Sequence, residues 1–137
     1  MAILGIDLGA RRIGIAVSDS GVVATPHSVL RNEGDVVDKL ARLADELEAE
    51  ELVVGVPRRP GSPAKKFEDF AERLRQRTCK SVVLWDEALT TVDAAQALRD
   101  AGVGRRDAAR TIDMHAAAVI LQSYLDERAR RSSSPHA

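Results

Sequence analysis

A chain of 137 residues suits one domain around one core, and 45% hydrophobic with 30% charged residues is ordinary for a globular fold. Aromatic residues make up only 3%, so the core must be built from Val, Leu, Ile and Ala, which favours helices on a sheet over an aromatic-rich β-sandwich. The net charge of −1 does not announce a nucleic-acid partner, and any attraction to phosphate has to come from local clustering of the 20 basic residues.

Residues 2–8, AILGIDL, form an apolar run broken only by Gly5 and Asp7, which predicts a strand with a turn at Gly9-Ala10-Arg11. A second short strand follows over 12–18, then a turn at Asp19-Ser20-Gly21 and a third strand over 22–30, where Pro26 requires an edge or a bulge. In 34–49 the apolar residues Val36, Val37, Leu40, Leu43, Ala44 and Leu47 recur at helical spacing with a charged back. Residues 51–56, ELVVGV, read as a strand covered on both faces, and 57–63, PRRPGSP, as loop. A helix over 64–77 carries Phe67, Phe70, Ala71 and Leu74 on one face, and leaves Arg73, Arg75, Arg77 and Lys80 as a solvated one. SVVLW (81–85) is another buried strand, Thr90-Thr91 caps a helix running to about 101, and a last helix spans about 112–130 before a polar, fraying tail over 131–137.

That order, β-β-β-α-β-α-β-α-α, predicts a single α/β domain over residues 1–130. An antiparallel meander followed by right-handed β-α-β units gives a mixed five-stranded sheet with helices on both faces, the element order of RNase H-like folds. The lone Cys79 excludes an intrachain disulfide and a multi-cysteine metal site, and fits a reducing compartment. The N-terminus lacks a basic region before its apolar stretch, and no apolar run approaches the roughly 20 residues of a membrane span, so the expected location is the cytoplasm.

Charge in the apolar strands carries the chemical signal. Asp7 lies between Ile6 and Leu8, Asp86-Glu87 follows SVVLW, and Asp113 opens the last helix just before Ala116, Ala117 and Ala118, small enough to let it approach the sheet. Buried carboxylates are costly alone and repel each other together unless a cation joins them. Oxygen ligands with room for water and phosphate favour Mg²⁺ or Mn²⁺, and two such ions in a carboxylate cluster suit phosphodiester hydrolysis. Each acid also has a simpler role. Asp7 can pair with Arg11 or Arg12, Glu87 can be a loop acid with Asp86 as the ligand, and Asp113 in a helix's first turn gains about 0.3–1 kcal/mol from the dipole.

The motifs GIDLGARRIGIAVSD (5–19), LVVGVP (52–57), DEALTT (86–91) and RTIDMHAAAVILQSYL (110–125) resemble, in order and across nearly the whole chain, those of the YqgF/RuvX family, relatives of the RuvC resolvases. The resemblance implies a metal-dependent nuclease, acting on Holliday junctions or on the 5′ end of pre-16S rRNA, with Asp7, Glu87 and Asp113 as catalytic acids and metal ligands. Two departures stand out. Ala88 replaces the family's Arg after Asp-Glu, and the stretch from Arg58-Arg59 through Lys65-Lys66 carries four basic residues where the family has Asn-Met-x-Gly.

Candidate phosphate contacts are therefore Arg11, Arg12, Arg58, Arg59, Lys65, Lys66 and Arg110, with Thr90 and Thr91 at a helix N-terminus. Two other classes of function compete: a catalytically weak nucleic-acid-binding protein, and a nucleotide-binding domain, since GIDLG also resembles the phosphate motif of actin-like kinases. The latter needs two such domains, and this chain supplies one. A homodimer is neither required nor excluded by the pattern.

Overall fold

The computed structural model describes residues 2–56, 64–86 and 108–133. Their elements run β1 (Ala2–Leu8), β2 (Arg12–Ser18), β3 (Thr25–Arg31), α1 (Val36–Glu46), β4 (Ala49–Val56), α2 (Ala64–Thr78), β5 (Ser81–Asp86) and α3 (Ala108–Ser133). The helix expected over about 90–101 lies outside the described residues. The five strands form one sheet in the order β3-β2-β1-β4-β5. β1 pairs antiparallel with β2, which pairs antiparallel with β3, while β4 lies parallel to both β1 and β5. The mixed five-stranded sheet expected from the element order is present, with β1 at its centre.

Strand alternation divides the core in two. Leu4 and Ile6 of β1 point with Ile13, Ile15, Leu52, Val54 and Val82 to the face covered by α1 and α2, where Leu40, Ala44, Phe67, Phe70 and Leu74 meet them. Ile3 of β1 points the other way with Ala16 and Val53, onto Ala117, Ile120, Leu121 and Leu125 of α3. Each fully buried Leu or Ile contributes on the order of 1.5–3 kcal/mol of transfer free energy, and a one-residue register slip would move a strand's buried side chains to the opposite face of the sheet.

Local chemistry sets the boundaries. β3 begins at Thr25 rather than 22 because the amides before it are already engaged: Val22 and Val23 donate to Ser20 Oγ, at 3.0 and 3.2 Å, and Ala24 donates to Gln122 Oε1 at 2.9 Å. Pro26 sits on this edge strand, beside a bulge where Ile15 pairs with Ser28 but Ala16 pairs with Pro26. Asp35 caps α1 by accepting from Asp38 N at 3.0 Å, and the chain leaves the helix through Glu48 at φ 55°. α3 continues to Ser133, past the expected end near 130.

Three of the basic residues read as solvated are tied down. Arg75 donates through Nε and Nη2 to the carbonyl of Val82, at 3.2 and 2.8 Å, which fastens α2 to β5. Arg77 pairs with Asp38 of α1, and Lys80 donates to the carbonyl of Ala49 at 2.6 Å while pairing with Asp45. Each takes a carbonyl or carboxylate at an element boundary, contacts that helical spacing alone does not reveal.

Candidate active site

Asp7 stands near the end of the central strand. In register it lies between Gly14 of β2 and Gly55 of β4, two residues with no side chain to crowd it. Alternation places it on the α3 face, since Gly5, two residues earlier, meets Leu121 and Ala117 of that helix. Helix α3 descends onto this row so closely that a Cβ on Gly14 would lie 1.9 Å from the carbonyl oxygen of Asp113. The small residue that admits the helix here belongs to the strand; the alanines of α3 act further along, where a Cβ on Gly5 would lie 3.0 Å from the Ala117 oxygen. Gly5 and Gly14 were in the sequence, but nothing there told which helix would lie on them.

That contact couples two acids. Burial, and then the charge of Asp113, push the Asp7 carboxyl up to about 6. Asp113 does not open its helix as expected: α3 starts five residues earlier, at Ala108. It therefore lies beyond the first turn, where the helix dipole acts most, and a dipole role does not explain it. Its Oδ2 accepts from Arg12 Nε at 2.7 Å, with the arginine side chain 47% and the aspartate 24% exposed. Arg12 thus pairs with Asp113, and among the described residues Asp7 has no ion-pair partner. A desolvated carboxylate without a cation, beside a second one, is the donor chemistry that a hard divalent ion fits.

Asp86 ends β5 on the wrong face. Trp85 before it packs in the α3-side core and donates from Nε1 to Ser123 Oγ at 3.2 Å, so alternation turns Asp86 away from Asp7. Lys65 and Lys66 are exposed in the first turn of α2, which follows the end of β4 where Gly55 flanks Asp7. Arg11 is exposed in the β1–β2 turn. Glu87, Arg58, Arg59, Thr90 and Thr91 lie outside the described residues, as does the side chain of Arg110. Among the described residues no three or more His, Cys, Asp or Glu side chains gather to hold a metal ion.

A family model described as "RuvX: Holliday junction resolvase" matches residues 1–127. The chain belongs to the RuvX family. Relatives of this RuvX chain include proteins named "Putative pre-16S rRNA nuclease" in Mycobacterium tuberculosis H37Rv, 47% identical over 91% of this chain and 78% of theirs, and in Mycobacterium ulcerans, 46% identical over the same shares. Among solved structures, the RuvX chain superposes on Thermus thermophilus RuvC in complex with a Holliday junction, with TM-score 0.63 at 14% identity over 94% of this chain and 96% of the other. The fowlpox virus Holliday junction resolvase gives TM-score 0.59 at 12% identity over 93% and 99%. At these identities the likeness shows the fold, RNase H-like as expected from the element order. No helix among the described residues is long and apolar enough to cross a membrane.

Proposed function

We propose that this RuvX chain is a divalent-metal-dependent nuclease that hydrolyses phosphodiester bonds, with Asp7, Glu87 and Asp113 as the carboxylates that would hold Mg²⁺ or Mn²⁺, two ions in all. The observation that carries this reading is the seating of Asp113 on Gly14, the cross-strand partner of Asp7, which sets two carboxylates side by side and pushes the half-buried Asp7 up to about 6. The family match and the nuclease names of its relatives support the same reading. The outward turn of Asp86 supports Glu87 as the third acid.

When bound there, such ions would activate a water and neutralise the leaving oxygen. The chain's own groups do the rest. Asp7 and Asp113, fixed on a central strand and on a helix seated against it, hold two of the carboxylates at a set spacing. Arg12 offsets the charge of Asp113 through one oxygen, and the other holds no partner among the described residues. Exposed Arg11, Lys65 and Lys66, with Arg58, Arg59 and Arg110, draw in the phosphate backbone, and the hydroxyls of Thr90 and Thr91 add contacts to a phosphate. The expected substrates are the 5′ end of precursor 16S rRNA, named in its relatives, and Holliday junctions, named in its family.

The test is cleavage with Mn²⁺ of precursor 16S rRNA, four-way junctions and single strands by wild type and Asp7→Asn. The wild type should cut at least one substrate, and the variant none while remaining folded; undiminished cleavage by the variant ends the assignment. Ala88, standing where the family carries Arg, favours a second reading, a nucleic-acid-binding protein with weak turnover. Binding of the same panel without Mn²⁺-dependent products would decide for it.

A further inference from the structure

The backbone of the turn between Asp7's strand and β2 is held from outside by Asn32. Within the turn, Gly9 N donates to the carbonyl of Arg12 at 3.0 Å, and the loop is so tight that a Cβ on Gly9 would lie 2.5 Å from that oxygen. Asn32, just past the end of β3, reaches it twice. Its backbone N donates to the carbonyl of Arg11 at 2.9 Å, and its side-chain Nδ2 donates to the carbonyl of Gly9 at 2.8 Å. Any residue but proline could make the first bond. The second needs a short side chain carrying a donor, because Gly9 offers an acceptor.

What the turn carries is Arg12. Only Nε of its guanidinium is engaged, on Asp113, and among the described residues its two terminal amino groups hold no partner. A half-exposed guanidinium anchored on one edge beside two carboxylates presents its other edge as a fork for a phosphate. Such a fork gains most when its backbone is already fixed, because ordering a loose turn at binding costs entropy.

We propose that Asn32 is a positioning residue for nucleic-acid binding: by clamping the Gly9–Arg12 turn it fixes the stance of Arg12, whose terminal amino groups take a substrate phosphate while Nε stays on Asp113. This rests on the reading of the site as that of a nuclease.

The experiment measures binding without turnover. Metal-free protein in EDTA is titrated into a fluorescein-labelled RNA hairpin, and separately a four-way DNA junction, across a KCl series. Arg12→Ala should lower the slope of log K against log salt by about 0.7–0.9, the loss of one phosphate contact. Asn32→Ala should lower it by the same amount. So should Asn32→Leu, which keeps the volume without the donor. The Arg12→Ala/Asn32→Ala pair should show no further drop, since both substitutions remove one contact.

An unchanged slope for the Asn32 variants beside a lowered slope for Arg12→Ala overturns the proposal. So do losses that add in the double variant, because Asn32 would then act without Arg12. Unfolding of both Asn32 variants overturns it too, the clamp then belonging to the fold and not to the site. An unchanged slope for Arg12→Ala removes the phosphate contact itself, whereas the nuclease reading stands or falls separately on cleavage by Asp7→Asn.

Discussion

The carbonyl of Asp113 rests over Gly14, with no room between them for a methyl group. Gly14 is also the cross-strand partner of Asp7, so one missing side chain brings an acid on a helix beside an acid on the central strand. The prediction is direct. Gly14→Ala must push α3 away or distort β2, at a cost of about 1–3 kcal/mol or more for overpacking against backbone. Urea denaturation should show that loss, and Mn²⁺-dependent cleavage should fall further than stability accounts for, because the two carboxylates are separated. Wild-type stability and cleavage in this variant would mean that the contact is not as tight as the geometry has it.

Asp7 makes stability depend on pH. Its folded pKa of about 6 lies above its ordinary 3.8, so between those values the folded state holds a proton that the unfolded state has released. Stability is therefore greatest below 3.8 as far as this group is concerned, and falls as pH rises through the window to 6. The total is about 2–3 kcal/mol for a shift of this size. Asp7→Asn should flatten that segment of the curve and raise the melting temperature of the metal-free protein at pH 8, while abolishing cleavage. Mn²⁺ should stabilise the wild type at pH 8 and leave the variant nearly unmoved, since ligand binding to the folded state raises its apparent stability. A variant less stable than wild type at pH 8 would contradict the desolvation of Asp7.

Much of this fold was legible because its signals are periodic. Apolar runs bounded by turn residues marked the strands, and Leu40, Leu43, Ala44 and Leu47 at helical spacing marked α1. The carboxylates were visible because a charge inside an apolar run, as in Ile6-Asp7-Leu8, stands out. Pairings between distant segments were not visible. Arg12 beside Asp7 in sequence suggested an ion pair between neighbours, yet Arg12 reaches Asp113, 101 residues away. Asn32 carried no signal at all, because its meaning lies in two carbonyls of a turn that only strand pairing brings near. The start of α3 was hidden for a different reason: Ala108 and Ala109, good helix formers on the N-terminal side of Asp113, lie outside the apolar stripe that marks the helix.

Arg12 tests the coupling from the other side. As a half-exposed ion pair its contribution to stability is small, within about 1 kcal/mol. With Arg12→Gln the charge of Asp113 acts on Asp7 undiminished, so the Asp7 carboxyl should titrate higher still. Carboxyl-carbon NMR of Asp7 in the two proteins reads the shift directly. Titration at the same pH in both would show that the guanidinium does not screen Asp113.

Gln122 offers the complementary case, a residue that supports the fold far from the site. From the middle of α3 it accepts from Ala24 N at 2.9 Å and donates to the carbonyl of Val22 at 2.9 Å, pinning the β2–β3 turn onto the helix. That turn leaves from Ser18, which pairs with Ile3 at the opposite end of β1 from Asp7. Gln122→Ala leaves a partly buried amide and a carbonyl to find water, at about 1–2 kcal/mol. Hydrogen exchange should speed at Ala24, the melting temperature should drop, and cleavage per folded molecule should stay at the wild-type level. A fall in cleavage rate as large as that of Gly14→Ala would mean that the seat of α3 on the sheet is set at the turn as well as at Gly14.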